Sequence, residues 1–319
     1  MNRRRFLTRA ALLAGGLAGA WWLRDNVLWR DPGVSFAADG SSGWLPYAEP
    51  RASVPTVNVR VAGQWVRALV DSGAQYSVID RDLFQTLGLT RAFDLPLVAY
   101  GVGGMPQLGK GTTLDLVIGG MQVAALRTAI LELGPLAMRD GLSAPLILGQ
   151  DLLGETILEI DTGERRLKFL SRAAHVLPAG VFAVPVRQSG GALSTEVTVE
   201  GATIVAVVDT GASALLALAR EAAQSAGLLD GRPARDGTSI VLGGAIASQI
   251  VRSRTITVGD QLYRDVETPI YANVALPGFP TALLGMAAFA GRRVVLDLGG
   301  GALHASRPLD LTIGPQGRV

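Results

Sequence analysis

From residue 56 onward the chain is written in short apolar alternations broken by glycine. Val57-Asn58-Val59-Arg60-Val61 places an apolar side chain at every second position and then reaches Ala62-Gly63, the pattern of a half-buried strand entering a hairpin turn. Thr195-Glu196-Val197-Thr198-Val199-Glu200-Gly201 repeats it, with its glycine 138 positions after Gly63. Each hairpin leads into a short apolar run, Ala68-Leu69-Val70 and Ala206-Val207-Val208, too short for a helix and suited to a strand buried on both faces. Helical segments come next. Asp80 is placed to cap Leu83–Leu87, which stops at Gly88, and the Ala-rich stretch Leu215–Ala226 stops at Gly227.

The correspondence continues down both halves. Asp71-Ser72-Gly73-Ala74 and Asp209-Thr210-Gly211-Ala212 also stand 138 apart. Gly103-Gly104 matches Gly243-Gly244 at an offset of 140, and Pro145-Leu146-Ile147-Leu148-Gly149 matches Thr281-Ala282-Leu283-Leu284-Gly285 at 136. A repeat this long is no solenoid or propeller unit. It predicts two copies of a small β domain, an N-terminal lobe over residues 53–172 and a C-terminal lobe over 181–306, followed by a tail at 307–319. The short link between the lobes, at 173–183, favours pairing of the two halves within one chain, hence a monomer.

Composition adds limits. Of 319 residues, 49% are hydrophobic and 18% charged, a globular balance, and forty glycines suit many turns between short strands. The formal charge of +2 comes from Arg3, Arg4, Arg5 and Arg9; from Trp21 onward 25 basic residues face 27 acidic ones, so no nucleic-acid surface is indicated. The absence of cysteine excludes disulfides and thiolate chemistry, and two histidines are too few for a His-rich metal site. No metal or cofactor is expected.

The first residues read as an address. Asn2-Arg3-Arg4-Arg5-Phe6-Leu7-Thr8 resembles the twin-arginine signal of bacterial exported proteins, and the uncharged stretch Ala10–Leu23 has the length of a signal core rather than a membrane span. Ala18-Gly19-Ala20 offers a cleavage site, Ser35-Phe36-Ala37 a weaker one. Retained, the segment would be a membrane anchor with Trp21, Trp22 and Trp29 at the interface. Residues 1–37 are thus signal and linker, with Gly-, Ser- and Pro-rich linker sequence running over 31–52. The expected location is periplasmic or secreted, with membrane contact only if the segment stays attached.

The duplicated Asp motif carries the chemistry. An apolar strand before each Asp would hold its carboxylate rigidly at the centre of the molecule, and Gly73 and Gly211 allow a tight turn. An isolated Asp-(Ser/Thr)-Gly is an ordinary turn. The chain supplies its own control in Asp161-Thr162-Gly163, followed by alternating Leu167 and Phe169 and matched by Val295-Leu296-Asp297-Leu298-Gly299. That pair reads as the turns of terminal hairpins and is excluded from the site. Asp151, after Gly149-Gln150, reads as a helix cap, since its counterpart is Ala287.

In this order and number the motifs resemble those of the pepsin and retropepsin aspartic proteases: apolar-apolar-Asp-(Thr/Ser)-Gly-(Ala/Ser), a Gly-bearing hairpin, then apolar-apolar-Gly before a short helix. The resemblance spans residues 53–306 and implies an all-β, bilobed acid-protease fold, two retropepsin-like β-barrel lobes related by a pseudo-two-fold axis. It implies that Asp71 and Asp209 form the catalytic pair, and that Ser72 and Thr210 bond across the axis beside Gly73 and Gly211. It also implies that Tyr100-Gly101-Val102-Gly103-Gly104 is a flap tip over the peptide, with Gly243-Gly244 its weaker echo. Two carboxylates about 3 Å apart cannot both ionise; they share one proton and activate a water without an acyl-enzyme. The expected activity is aspartic endopeptidase, a hydrolase, acting on a peptide or protein substrate. The alternative is a peptide-binding protein that keeps the fold without turnover. Gly101-Val102-Gly103 is no nucleotide loop, because Pro106 occupies the third glycine's place. His175 and His304 have no serine elbow near them.

Overall fold

The computed structural model describes residues 31–99, 107–138, 142–189, 191–241, 244–273 and 280–307. Each half builds an eight-stranded sheet, and the two share a third sheet of six strands. The fold is all-β and bilobed.

The alternating segments form hairpins as their pattern requires. Thr56–Val61 pairs antiparallel with Gln64–Val70, and Ala192–Val199 with Ala202–Val208. Equivalent residues pair in equivalent register: Val57 faces Ala68, and Thr195 faces Ala206. The apolar runs are central strands. Gln64–Val70 lies parallel to Leu146–Leu148 and Ala202–Val208 parallel to Ala282–Leu284, so Val70 faces Leu148 and Val208 faces Leu284. Val70, Leu148 and Leu284 are fully buried and Val208 nearly so. Both Asp residues therefore leave the ends of strands clamped on each side, which is what gives a carboxylate a fixed place.

Three sequence expectations change. The first concerns Leu215–Ala226, which is not one helix: Leu216–Ala219 is a strand, and the helix runs only from Arg220 to Ser225. Leu216–Ala219 pairs with Gln261–Tyr271 on one side and Ala282–Leu284 on the other. Inter-strand pairing and burial outweigh the small helix preference of Leu and Ala. In the first half Asp80 does cap the helix Arg81–Thr86, accepting from the Asp82 N–H at 3.0 Å.

Second, residues 31–52 are not a free linker. Gly33–Phe36 pairs antiparallel with Met121–Ala124, and Leu45–Pro46 with Arg166–Leu167. The Trp44 ring receives the cations of Arg166, Lys168 and Arg293 at 4.6, 4.7 and 5.7 Å, and Tyr47 is buried. Glycine and serine make the bends of this strap, while its few large apolar groups dock. The weaker cleavage site, Ser35-Phe36-Ala37, thus lies at a paired strand.

Third, the terminal hairpins leave their own lobes. Ile157–Asp161 with Arg166–Leu170, and Arg293–Asp297 with Ala302–Ser306, meet edge to edge, with Leu158 facing Leu296 and Ile160 facing Val294. Val181–Val184, from the link between the halves, adds to Ala302–Ser306. One face of this shared sheet joins a continuous core containing residues of both lobes; the other buries Ile157, Leu170 and Val295 as a small separate cluster. Two copies of one domain are thereby made into a single body.

Candidate active site

Two backbone turns meet at the pseudo-two-fold axis. Asp71 follows Val70 and its N–H donates to the Leu148 carbonyl at 3.0 Å; Asp209 follows Val208 and donates to Leu284 at 2.9 Å. After each Asp the chain turns back on its own carboxylate. Asp71 Oδ1 accepts from the Gly73 N–H at 2.8 Å and the Ala74 N–H at 3.2 Å, and Asp209 Oδ1 accepts from the Gly211 N–H at 2.8 Å.

The next residues cross the axis. The Ser72 hydroxyl donates to the Val208 carbonyl at 2.8 Å and accepts from the Thr210 N–H at 3.0 Å. The Thr210 hydroxyl donates to the Val70 carbonyl at 2.8 Å and accepts from the Ser72 N–H at 2.9 Å. Four bonds therefore tie the strand end before each Asp to the loop after the other. Ser72 is fully buried and Thr210 almost so, which makes each bond costly to lose.

The glycines decide how closely the lobes approach. A methyl group at Gly73 would lie 2.7 Å from Asp209 Cγ, and one at Gly211 would lie 2.6 Å from Asp71 Cγ. Each carboxylate thus rests against the other lobe's glycine, which brings the two carboxyl groups close enough to shift each other's proton affinity. Burial raises the proton affinity of Asp71 against the bonds from Asp209, Gly73 and Ala74. Burial pushes Asp209 well above the usual carboxylate range, the Asp71 charge and hydrogen bond add to that, and the Gly211 and Ala212 N–H groups oppose it. The pair holds and releases protons as one unit.

Below the turns, Gly149 and Gly285 let the next element come close. A methyl at Gly149 would lie 2.6 Å from the Tyr76 carbonyl carbon, and one at Gly285 would lie 2.5 Å from the Ala212 oxygen. Here the lobes differ. In the first, the Gln150 amide donates to the Ser72 carbonyl at 2.8 Å. Asp151 accepts from the Ser77 hydroxyl at 2.7 Å and from the Ser77 N–H at 3.0 Å. Asp151 is thus a brace on the Asp71 loop rather than the cap of its helix, a place held by Gly149. In the second lobe these positions are Met286 and Ala287. The signal was in the repeat itself, where a Gln-Asp pair stands against Met-Ala. Sequence reasoning also passed over Tyr271, buried near Asp209, whose hydroxyl donates to the Pro280 carbonyl at 2.9 Å and whose proton affinity is raised by burial and by the Asp209 charge.

The third triplet stays apart from this centre. Asp161 closes its hairpin by accepting from the Glu164 N–H at 3.0 Å and faces Arg166 and Arg293. Of the flap residues, Tyr100, Gly101, Gly103, Gly104 and Gly243 lie outside the described residues. Gly244 begins the strand Gly244–Val258, which pairs with Ala234–Val241 as a long hairpin. Phe93–Ala99 pairs with Gln107–Gly111 in the corresponding hairpin of the first lobe.

A family model described as aspartyl protease matches twice, over residues 57–152 and 195–288, together more than half of the chain. The chain belongs to the aspartyl protease family. Its fold is similar to that of the aspartic proteinase of Irpex lacteus, whose crystal structure superposes with a TM-score of 0.50 at 13% identity, covering 86% of this chain and 99% of that one. That likeness concerns the fold alone. Among sequences, this aspartyl protease relative is 35% identical over 99 residues to the UBA domain-containing protein Mud1 of Schizosaccharomyces pombe, 30% of this chain and 27% of that protein. It is 29% identical over 147 residues to DNA damage-inducible protein 1 of Neurospora crassa, 46% of this chain and 31% of that protein. The chain spans about a third or less of the length of these curated relatives.

Proposed function

We propose that the chain is an aspartic endopeptidase in which Asp71 and Asp209 together activate a water molecule against a peptide bond. The observation that carries this reading is the mutual contact of two carboxyl groups of raised proton affinity, each pressed on the other lobe's glycine. With one proton between them, the ionised member removes a proton from water while the protonated member donates to the scissile carbonyl oxygen. The hydroxide equivalent adds to the carbonyl carbon, giving a gem-diol. As the C–N bond breaks, a gem-diol hydroxyl gives its proton to the ionised member and the amine nitrogen takes the proton of the other, so the pair again holds one proton. No covalent enzyme intermediate forms.

The Ser72–Thr210 bonds serve this chemistry by fixing the separation of the carboxylates, on which sharing of one proton depends. Tyr100 and the glycines beside it would cover the bound peptide and exclude water. The substrate is an extended peptide or protein segment, and one chain carries the whole site, so the working unit is a monomer. Asp71→Asn and Asp209→Asn should each abolish cleavage of a peptide library across acidic to neutral pH. Cleavage at the unsubstituted rate by either variant defeats the proposal, and peptide binding without cleavage by the unsubstituted chain would mark it as a binding protein.

The export reading belongs to the same proposal. It is supported by Arg3-Arg4 followed by Phe6-Leu7 and an uncharged segment. Cleavage after Ala20 keeps the Gly33–Phe36 strand, and among the described residues no helix is long and apolar enough to cross a membrane. Arg3→Lys with Arg4→Lys should leave the chain in the cytoplasm; continued export of that variant would refute this part.

A further inference from the structure

The third Asp-Thr-Gly triplet carries no part of the carboxylate pair, yet its threonine reaches the other half of the molecule. The Thr162 hydroxyl lies 2.8 Å from the Phe289 carbonyl and 2.9 Å from the Arg292 carbonyl, sharing its proton between them, and accepts from the Arg292 N–H at 2.9 Å. The Thr162 N–H also donates to the Arg292 carbonyl at 3.1 Å. These bonds hold the C-terminal end of the 3₁₀ turn Met286–Phe289, in which Phe289 is buried.

The N-terminal end of that turn supports Asp209. The Met286 N–H donates to Ala212 at 2.8 Å, the Gly285 N–H donates to Leu215 at 3.0 Å, and Gly285 sits against the Ala212 oxygen with no room for a methyl. In the first lobe the matching element is braced from within, by Asp151 on Ser77 and Gln150 on Ser72. In the second, Ala287 and Met286 hold those positions and offer no such side-chain donor or acceptor. The hairpin of the first half supplies the missing restraint from outside. On the opposite side of the pseudo-symmetry Leu298 takes the place of Thr162, so the arrangement is one-sided.

We infer that Thr162 is a positioning residue for Asp209, setting from the other lobe the turn on which the Asp209 loop rests. The inference rests on the proteolytic reading for its consequence in catalysis, though not for its geometry. The coupling of two carboxylates depends steeply on their separation, and a misplacement of about 1 Å can cost on the order of 100-fold in rate. Loosening the turn lets the carboxylates part, so the two proton-binding steps of the pair move toward each other.

The test is carboxyl ¹³C NMR titration of Asp71 and Asp209, assigned through Asp71→Asn and Asp209→Asn, in the full chain and in Thr162→Val and Thr162→Ser. The valine keeps the shape and removes the hydroxyl; the serine keeps the hydroxyl. The expected result is that Thr162→Val lowers the proton affinity of the upper step about tenfold or more, one pH unit, while Thr162→Ser stays near the unsubstituted chain. Where peptide cleavage is measured beside it, kcat should fall about 10- to 100-fold in the valine variant with KM within about twofold, and serine should restore it. If the valine variant does not fold, Thr162→Cys, with a weaker donor of similar size, takes its place. Unchanged titration in a folded variant lacking the hydroxyl overturns the inference, whatever the melting temperature does. A chain that cleaves no peptide at all defeats the proteolytic reading and leaves the titration to decide this one.

Discussion

Thr210→Val removes one oxygen from the centre of the molecule and leaves its shape unchanged. In the native chain that oxygen donates to the Val70 carbonyl at 2.8 Å and accepts from the Ser72 N–H at 2.9 Å. Thr210 is 3% exposed and Ser72 0%, so water cannot take over either bond without opening the interface. A buried donor or acceptor left without its partner costs about 1–3 kcal/mol, which for the two groups amounts to about 2–6 kcal/mol. Thr210→Ser keeps both bonds and loses a methyl, about 1 kcal/mol. Urea unfolding followed by two probes, fluorescence and far-ultraviolet dichroism, measures the difference and checks that the lobes unfold together. The serine and valine variants should separate by at least about 1 kcal/mol, with valine the weaker. Ser72→Ala removes the mirror-image pair and should cost a similar amount, and the double variant should cost less than the sum because the four bonds form one network. A valine variant within about 0.5 kcal/mol of the native chain, the range of an indifferent surface change, would show that these bonds do not hold the halves together.

Three further outcomes follow from the same geometry. Because Asp209 binds its proton more tightly when folded than its ordinary value near 3.8 allows, the native state holds more protons than the unfolded one above that pH. Unfolding free energy therefore falls as pH rises toward the raised folded value. Asp209→Asn lacks that loss, so its melting temperature relative to the native chain should rise as the pH climbs above the ordinary value of 3.8; a constant difference would contradict the sign. Gly211→Ala needs no forbidden backbone angle, yet its methyl would meet the Asp71 carboxyl. It should cost about 1–3 kcal/mol and reduce peptide cleavage about 100-fold, and full activity in that variant would mean the loops are not in this contact. Ser77→Ala deprives Asp151 of its 2.7 Å donor and the Gly149 N–H of its acceptor. A loss of about 1.5–3 kcal/mol by thermal unfolding is expected, against no measurable change if Asp151 is not a brace.

The parts of the fold that were legible were those repeated in the chain. Val57–Val61 and Thr195–Val199 alternate because each lies in a sheet with one face on the core, and the common register of their hairpins shows why the spacing of 138 survived. Asp71 and Asp209 stood out from Asp161 because only they are followed by an apolar-apolar-Gly element, which forms the parallel strand beside their own; burial before the Asp does not separate them, since Ile157–Ile160 is buried throughout while Val205 is exposed. Leu216–Ala219 was not legible as a strand: four residues of Leu and Ala favour a helix locally, and two neighbouring strands, distant in sequence, decide otherwise. The strap at 31–52 was hidden for a related reason. Its composition describes its turns, whereas its ordering comes from an edge strand and from three cations around Trp44.

By itself the sequence determined the duplication, the β character and the two Asp-(Ser/Thr)-Gly turns, because period-two alternation and tight turns are local consequences of residue type. Tertiary structure alone decided what crosses between the halves. The exchange of hydroxyl bonds by Ser72 and Thr210, the contact of each carboxylate with the opposite glycine, and the reach of Thr162 to Phe289 and Arg292 join residues more than 120 positions apart. Hydrogen bonds and close contacts of this kind depend on distances set by the packing of whole sheets. Equal offsets along a chain can suggest which residues correspond, but only the packed lobes determine which of them touch.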